Sequence, residues 1–169
     1  VLMYVNMIFI SVFIGYATGT APIISYHYGA KNHTEMKGLL KKSLVIIGIF
    51  AISMFVMAEL SAKLLAGIFV SYDTNLMTIT IRAFRIYSFS FLFASIAIYG
   101  SSFFTALNDG VTSALISFLR SLFFQLAAVL ILPILLGVDG IWLSIVIAEF
   151  AAALMTAFFI FIKKKKYQY

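Results

Sequence analysis

The sequence contains no cysteine, which excludes a disulfide framework, a thiolate zinc site and a cysteine nucleophile. It is also short of charge. Six acids and twelve bases make 11% of 169 residues, against roughly a quarter in a soluble domain, too few to solvate a globule. That shortage excludes an ordinary cytosolic enzyme, a disordered tail and a nucleic-acid module. Catalytic signatures are missing too. There is no HExxH, no GxSxG and no Walker loop, and Gly100-Ser101-Ser102 lacks the glycine a nucleophile elbow needs. His27 and His33 have no third metal ligand in reach, and no nucleophile–base pair can be assembled. No catalytic residue, metal or cofactor is expected from these residues.

Apolar surface fills the sequence instead: 63% of residues are hydrophobic and the mean hydropathy is +1.09. A helix crosses a hydrocarbon core of about 30 Å with roughly 20 residues. The apolar runs predict an all-α, polytopic bundle with spans over about 1–28, 39–67, 74–106, 111–136 and 139–162, followed by a basic cytoplasmic tail over 163–169. Asp73 is placed to cap the third helix, and Glu59 and Lys63 stand at the favourable i, i+4 spacing. Asn108-Asp109-Gly110 and Gly137-Val138-Asp139-Gly140 read as tight turns on either side of the fourth span. The runs are too long, and too apolar on every side, for barrel strands, and only helices satisfy their own backbone in such segments.

Charge placement orients the bundle. Lys31, Lys37, Lys41, Lys42 and the four lysines 163–166 fall on one side, against Lys63, Arg82 and Arg85 on the other. Eight bases against three, with Arg120 inside a span, are expected to put the first side, including the Ala30–Ser43 loop and the C-terminal tail, in the cytoplasm. The lysine tail reads as a stop signal or, more sharply, as a contact for anionic lipid.

Polar residues within spans are where function would reside. A charge at mid-bilayer costs about 2.5–3.5 kcal/mol, so Arg120 and Glu149 should each find a partner. Each lies about nine residues, hence roughly 14 Å, from the turn at its end of the hairpin, and these depths nearly coincide in a core of about 30 Å. The two are expected to lie near each other, as a static ion pair or as a gate. Gln125, Tyr99 and Ser95 are candidates for lining a cavity or for bonding across helices. Gly15 and Gly19 form a GxxxG for close helix approach, and Pro22 removes a backbone hydrogen bond beside them, marking a packing face or a hinge.

The run Gly19-Thr20-Ala21-Pro22-Ile23-Ile24-Ser25-Tyr26-His27-Tyr28-Gly29-Ala30-Lys31-Asn32 resembles a signature of the multidrug and toxic compound extrusion (MATE) transporters. Phe103 to Gly110 is similar to the family's "Phe-x-Ala-Leu-Gly-x-Gly" helix end. Leu132-Pro133 through Asp139-Gly140-Ile141-Trp142 is similar to its "Leu-Pro … Gly-x-Asp-Gly-x-Trp" turn, and Arg120 falls in a "Ser-x-x-Arg" stretch. The resemblance implies a twelve-helix exporter of two six-helix lobes, exchanging Na⁺ or H⁺ for small cationic, amphipathic drugs by rocking between outward and inward states. These five spans would be the last five of the C-terminal lobe. Val1 within an apolar run and the odd span count agree with a fragment whose N-terminal lobe lies elsewhere. The sequence departs from the pattern at His27, where Asn is commoner, at Asn108, where Gly is, and in having no acid over Thr78–Ala106, where one subgroup places a cation ligand.

The expectation is thus part of a secondary multidrug antiporter, with membrane lipids, drugs and the missing lobe as partners and no nucleic acid. A lipid-linked oligosaccharide flippase of the same superfamily and a truncated, non-transporting membrane protein are the alternatives.

Overall fold

A computed structural model describes residues 2–169. The chain is helical almost throughout: α1 (Leu2–Gly29), α2 (His33–Val70), α3 (Thr74–Ala106), α4 (Gly110–Phe118), a π-helical segment (Leu119–Phe124), α5 (Gln125–Leu136) and α6 (Val138–Tyr167). α4, the π segment and α5 form one continuous rod, so among the described residues five rods are long and apolar enough to cross a membrane.

Short polar signals separate the rods. Asn32 caps α2, its side chain accepting from the Glu35 amide at 3.2 Å. Asp73 caps α3 by accepting from the amides of Asn75 and Leu76, at 2.8 and 3.1 Å. Asp109 caps α4 through the Thr112 amide, after Asn108 has turned the chain with φ 60°. Gly137, at φ 63°, is the single non-helical residue between α5 and α6, a conformation that favours glycine.

Three boundaries differ from the sequence reading. The expected Ala30–Ser43 loop is only a tight turn: α2 begins at His33 because Asn32 satisfies its first turn, so Lys37, Lys41 and Lys42 ride on helix. The second expected turn shrinks to Gly137, and Asp139 and Gly140 belong to α6. The tail is not free either. α6 continues through the four lysines to Tyr167, and Tyr167 and Tyr169 are buried against the bundle.

α3 is the hub, packing against α1, α2, α4 and α6. Small residues make this possible: Ala83, Ser88, Ala94, Ser95, Ala97 and Gly100 are all buried on it. A Cβ on Gly100 would sit 2.1 Å from Thr156 Cγ2 of α6, so only glycine allows this approach. At Gly140 a Cβ would sit 2.3 Å from the Leu132 carbonyl oxygen, which fixes the α5–α6 hairpin. Serines stitch the rods, Ser25 Oγ donating to the Ala106 carbonyl at 2.9 Å, Ser102 Oγ to that of Ala17 at 3.1 Å and Ser144 Oγ to that of Ala128 at 2.9 Å. The outward faces of the rods carry exposed Leu, Ile and Phe, the surface a bilayer solvates.

Candidate functional site

The fourth and fifth rods run antiparallel from the Gly137 turn, which brings the side chains of Arg120 and Glu149 within reach of each other. Arg120 Nε donates to Glu149 Oε2 and its terminal nitrogen to Oε1, both at 2.8 Å. The side chains are 19% and 14% exposed, so this is a bidentate pair largely withdrawn from its surroundings. Arg120 lies in the π-helical segment, whose wider turn interrupts α-helical bonding beside the charge. No sequence signal pointed to that segment.

The other candidates do not gather around the pair. Tyr99 is 1% exposed in the core where α1, α2 and α3 meet, with its ring 6.2 Å from that of Tyr16. Its hydroxyl is buried without a hydrogen-bond partner. Ser95 is likewise buried and donates to the Leu92 carbonyl of its own helix at 3.3 Å. Both are packed inside the chain, because the polar face of α3 turns toward its neighbours. Gln125 stands exposed on the far side, on α5. Among the described residues nothing lies within 4 Å of a Cβ at Gly15 or Gly19, so the face they offer for close helix approach stands open. The close approaches fall at Gly100 and Gly140 instead. α1 runs unbroken through Pro22.

Two polar clusters were not foreseen. A hydroxyl ladder joins α3 to α4: Ser101 meets Ser113 at 3.0 Å and Ser117 at 2.8 Å, and Thr105 meets Ser113 at 2.7 Å. The i, i+4 spacings Ser101/Thr105 and Ser113/Ser117 across one turn are the signal that marks it. At the lysine-rich end, Asp109 accepts from Lys163 Nζ at 2.6 Å, from the Tyr167 hydroxyl at 2.8 Å and from Thr112 Oγ1 at 2.8 Å. Burial works against ionisation of Asp109, but these donors more than offset it and hold its carboxyl well below the usual carboxylate range. Burial, with Asp109 beside it, pushes the Tyr167 phenol up. At the opposite end Arg82 pairs with Asp139, and Glu59 accepts from Ser88 at 2.6 Å beside Arg85. Glu59 therefore bridges helices, and no ion pair with Lys63 forms among the described residues.

Four apolar rods on a fifth that is a small-residue hub, with a largely withdrawn ion pair between two of them, define a multi-pass helical membrane protein. A model of the MatE family matches residues 1–131, and the chain belongs to that family. No curated protein sequence matches it significantly. Its fold is similar to a solved structure described as the inward-facing conformation of a multidrug resistance MATE family transporter of the MOP superfamily. The TM-score is 0.89 at 19% identity, over 98% of this chain and 39% of that one. The chain thus spans about two fifths of that transporter's length.

Proposed function

We propose that this chain forms most of one lobe of a cation-coupled multidrug efflux antiporter, exchanging Na⁺ or H⁺ for cationic amphipathic drugs across a plasma membrane. The observation that carries this reading is membership of the MatE family over residues 1–131. The lobe-like fold of the whole chain supports it. The second lobe covers the open face of α1 at Gly15 and Gly19, and the two alternate about the midplane. Gln125, exposed on α5, faces the cavity or a neighbouring helix. The lysine-rich end is cytoplasmic, as the excess of bases there argues. Within the lobe, Arg120–Glu149 acts as a gate: a bidentate pair on a π-helical segment can break and re-form as that segment rewinds.

Ethidium efflux by cells expressing the full reading frame tests this. Efflux that depends on an imposed Na⁺ or H⁺ gradient, and is lost when either lobe is omitted, is the expected result. Expression without drug efflux under either gradient overturns it.

A further inference from the structure

α2 and α6 both pack on α3 but scarcely touch each other, which leaves a groove at the lysine-rich end with α3 as its floor. The groove encloses about 510 Å³. One face of α2 lines it with Lys37, Leu40, Lys41 and Leu44, at spacings of i, i+3, i+4 and i+7. One face of α6 answers with Ala157, Ile160, Phe161 and Lys164, at the same spacings, and Ile96 of α3 lies beneath. The helices run in opposite senses, so the two patterns align: cations at the mouth, apolar groups inward. From Lys164 to Ala157 the lining changes from charged to apolar over roughly 10 Å at 1.5 Å per residue. The mouth continues into a second hollow that adds Lys165 and Gln168.

No Asp or Glu side chain lines either hollow, Tyr169 borders both with its hydroxyl on the Ile160 carbonyl, and none of these lysines takes part in an ion pair among the described residues. Lys163 differs, since it is turned inward onto Asp109. That inward pairing holds the end of α6 in register, so Lys164 stays over the groove facing Lys37 and Lys41. Like charges gathered without counterions repel, and a site that keeps them together is complementary to an anion. An anion carried on a hydrocarbon chain matches the order of the lining from mouth to floor.

We propose that the α2–α6 groove binds one anionic phospholipid, its phosphate held by Lys37, Lys41 and Lys164 and an acyl chain lying over Leu44, Ile160 and Ala157. Basic pockets between membrane helices bind acidic headgroups in this way, and a lysine near an anionic membrane surface is worth about a fivefold gain. The proposal does not depend on the transport reading.

The test is native mass spectrometry of the full-length protein in detergent, titrated with phosphatidylglycerol, phosphatidylcholine and glycerol 3-phosphate. Phosphatidylglycerol is expected to bind at least tenfold more tightly than phosphatidylcholine, with no retention of glycerol 3-phosphate. Lys37→Gln/Lys41→Gln/Lys164→Gln, at exposed positions, should remove that preference. Ala157→Trp should weaken both lipids while leaving the melting temperature unchanged. Equal affinity for the two lipids, an unaffected triple variant, or retention of glycerol 3-phosphate alone overturns the proposal. A nitroxide at position 157 gives an independent arm. High accessibility to oxygen supports a lipid-facing groove, and exclusion of all quenchers, as under a covering protein segment, overturns it.

Discussion

Lys163 Nζ reaches back from α6 to Asp109 Oδ2, 2.6 Å away and 54 residues earlier in the chain, and so ties the end of the last rod to the turn between α3 and α4. Asp109 is the cap of α4 and the acceptor for Tyr167 at once, so the α3–α4 turn, α4 and α6 converge on one carboxylate. Breaking a buried pair by removing one partner costs about 3–5 kcal/mol, because the other charge is left uncompensated. Asp109→Ala should therefore lower stability by about 3 kcal/mol or more, measured by thermal unfolding of the full-length protein in detergent. Conversion of Lys163 to Met together with Asp109→Asn should recover part of that loss.

The same residue sets a pH dependence. Its folded carboxyl is held below the value of about 3.9 expected in the unfolded chain. A depressed value means that its contribution to stability is complete above about pH 4 and declines as pH falls through the folded value. The melting temperature should therefore fall more steeply from pH 5 to pH 3 in the native protein than in Asp109→Asn. Parallel curves would assign the acid sensitivity to another group.

How much of this was legible in the sequence depends on how far each residue's surroundings follow from neighbours along the chain. The rods and the caps at Asp73 and Asp109 are local matters, and apolar runs with capping residues announce them. The meeting of Arg120 and Glu149 is nearly local, since a one-residue turn makes the two rods neighbours and the long arginine side chain spans the remaining difference in depth. Facing was not legible. Helices apolar on all sides carry little periodic signal, so nothing told Tyr99, turned inward, from Gln125, turned outward. Small-residue spacing is similarly mute about what stands opposite. Gly15 and Gly19 have the packing pattern and meet no helix of this chain, while Gly100 meets Thr156 without any motif around it. The π-helical segment, which carries Arg120, likewise has no motif or composition in the sequence that marks it.

The Arg120–Glu149 pair separates a static role from a switching one. Glu149→Leu alone leaves a buried guanidinium and should cost about 3 kcal/mol, whereas Arg120→Met with Glu149→Leu should fold nearly as well as the native chain. If the pair is a gate, that well-folded double variant loses ion-coupled efflux by tenfold or more. Efflux at the native rate would leave the pair a structural clamp.

At Gly100 the contact is with the end of a side chain, so it can be relieved. Gly100→Ala drives a methyl onto Thr156 Cγ2 and should cost about 1–3 kcal/mol as overpacking. Thr156→Ser removes that methyl and keeps the hydroxyl that donates to the Ala152 carbonyl, so the pair Gly100→Ala/Thr156→Ser should regain most of the loss. Gly140→Ala meets the backbone of Leu132 and Pro133 instead, and no side-chain substitution there should rescue it. Thermal unfolding of the four variants distinguishes the two kinds of close approach.

Tyr99 offers the opposite sign. Its ring stacks on Phe103 with centroids 6.1 Å apart and is buried in the core, while its hydroxyl has no hydrogen-bond partner. A buried polar group left unpaired carries its desolvation cost without return, on the order of 1–3 kcal/mol. Tyr99→Phe keeps the ring contacts and removes that cost, so it should raise stability by about 1 kcal/mol. Tyr16→Phe, which deletes the 3.0 Å bond to Ser43 nearby, should lower it by a similar amount. A loss of stability in Tyr99→Phe would mean that the hydroxyl is paired in the membrane, through a water or through movement of Ser43, and that this corner of the core is a polar network.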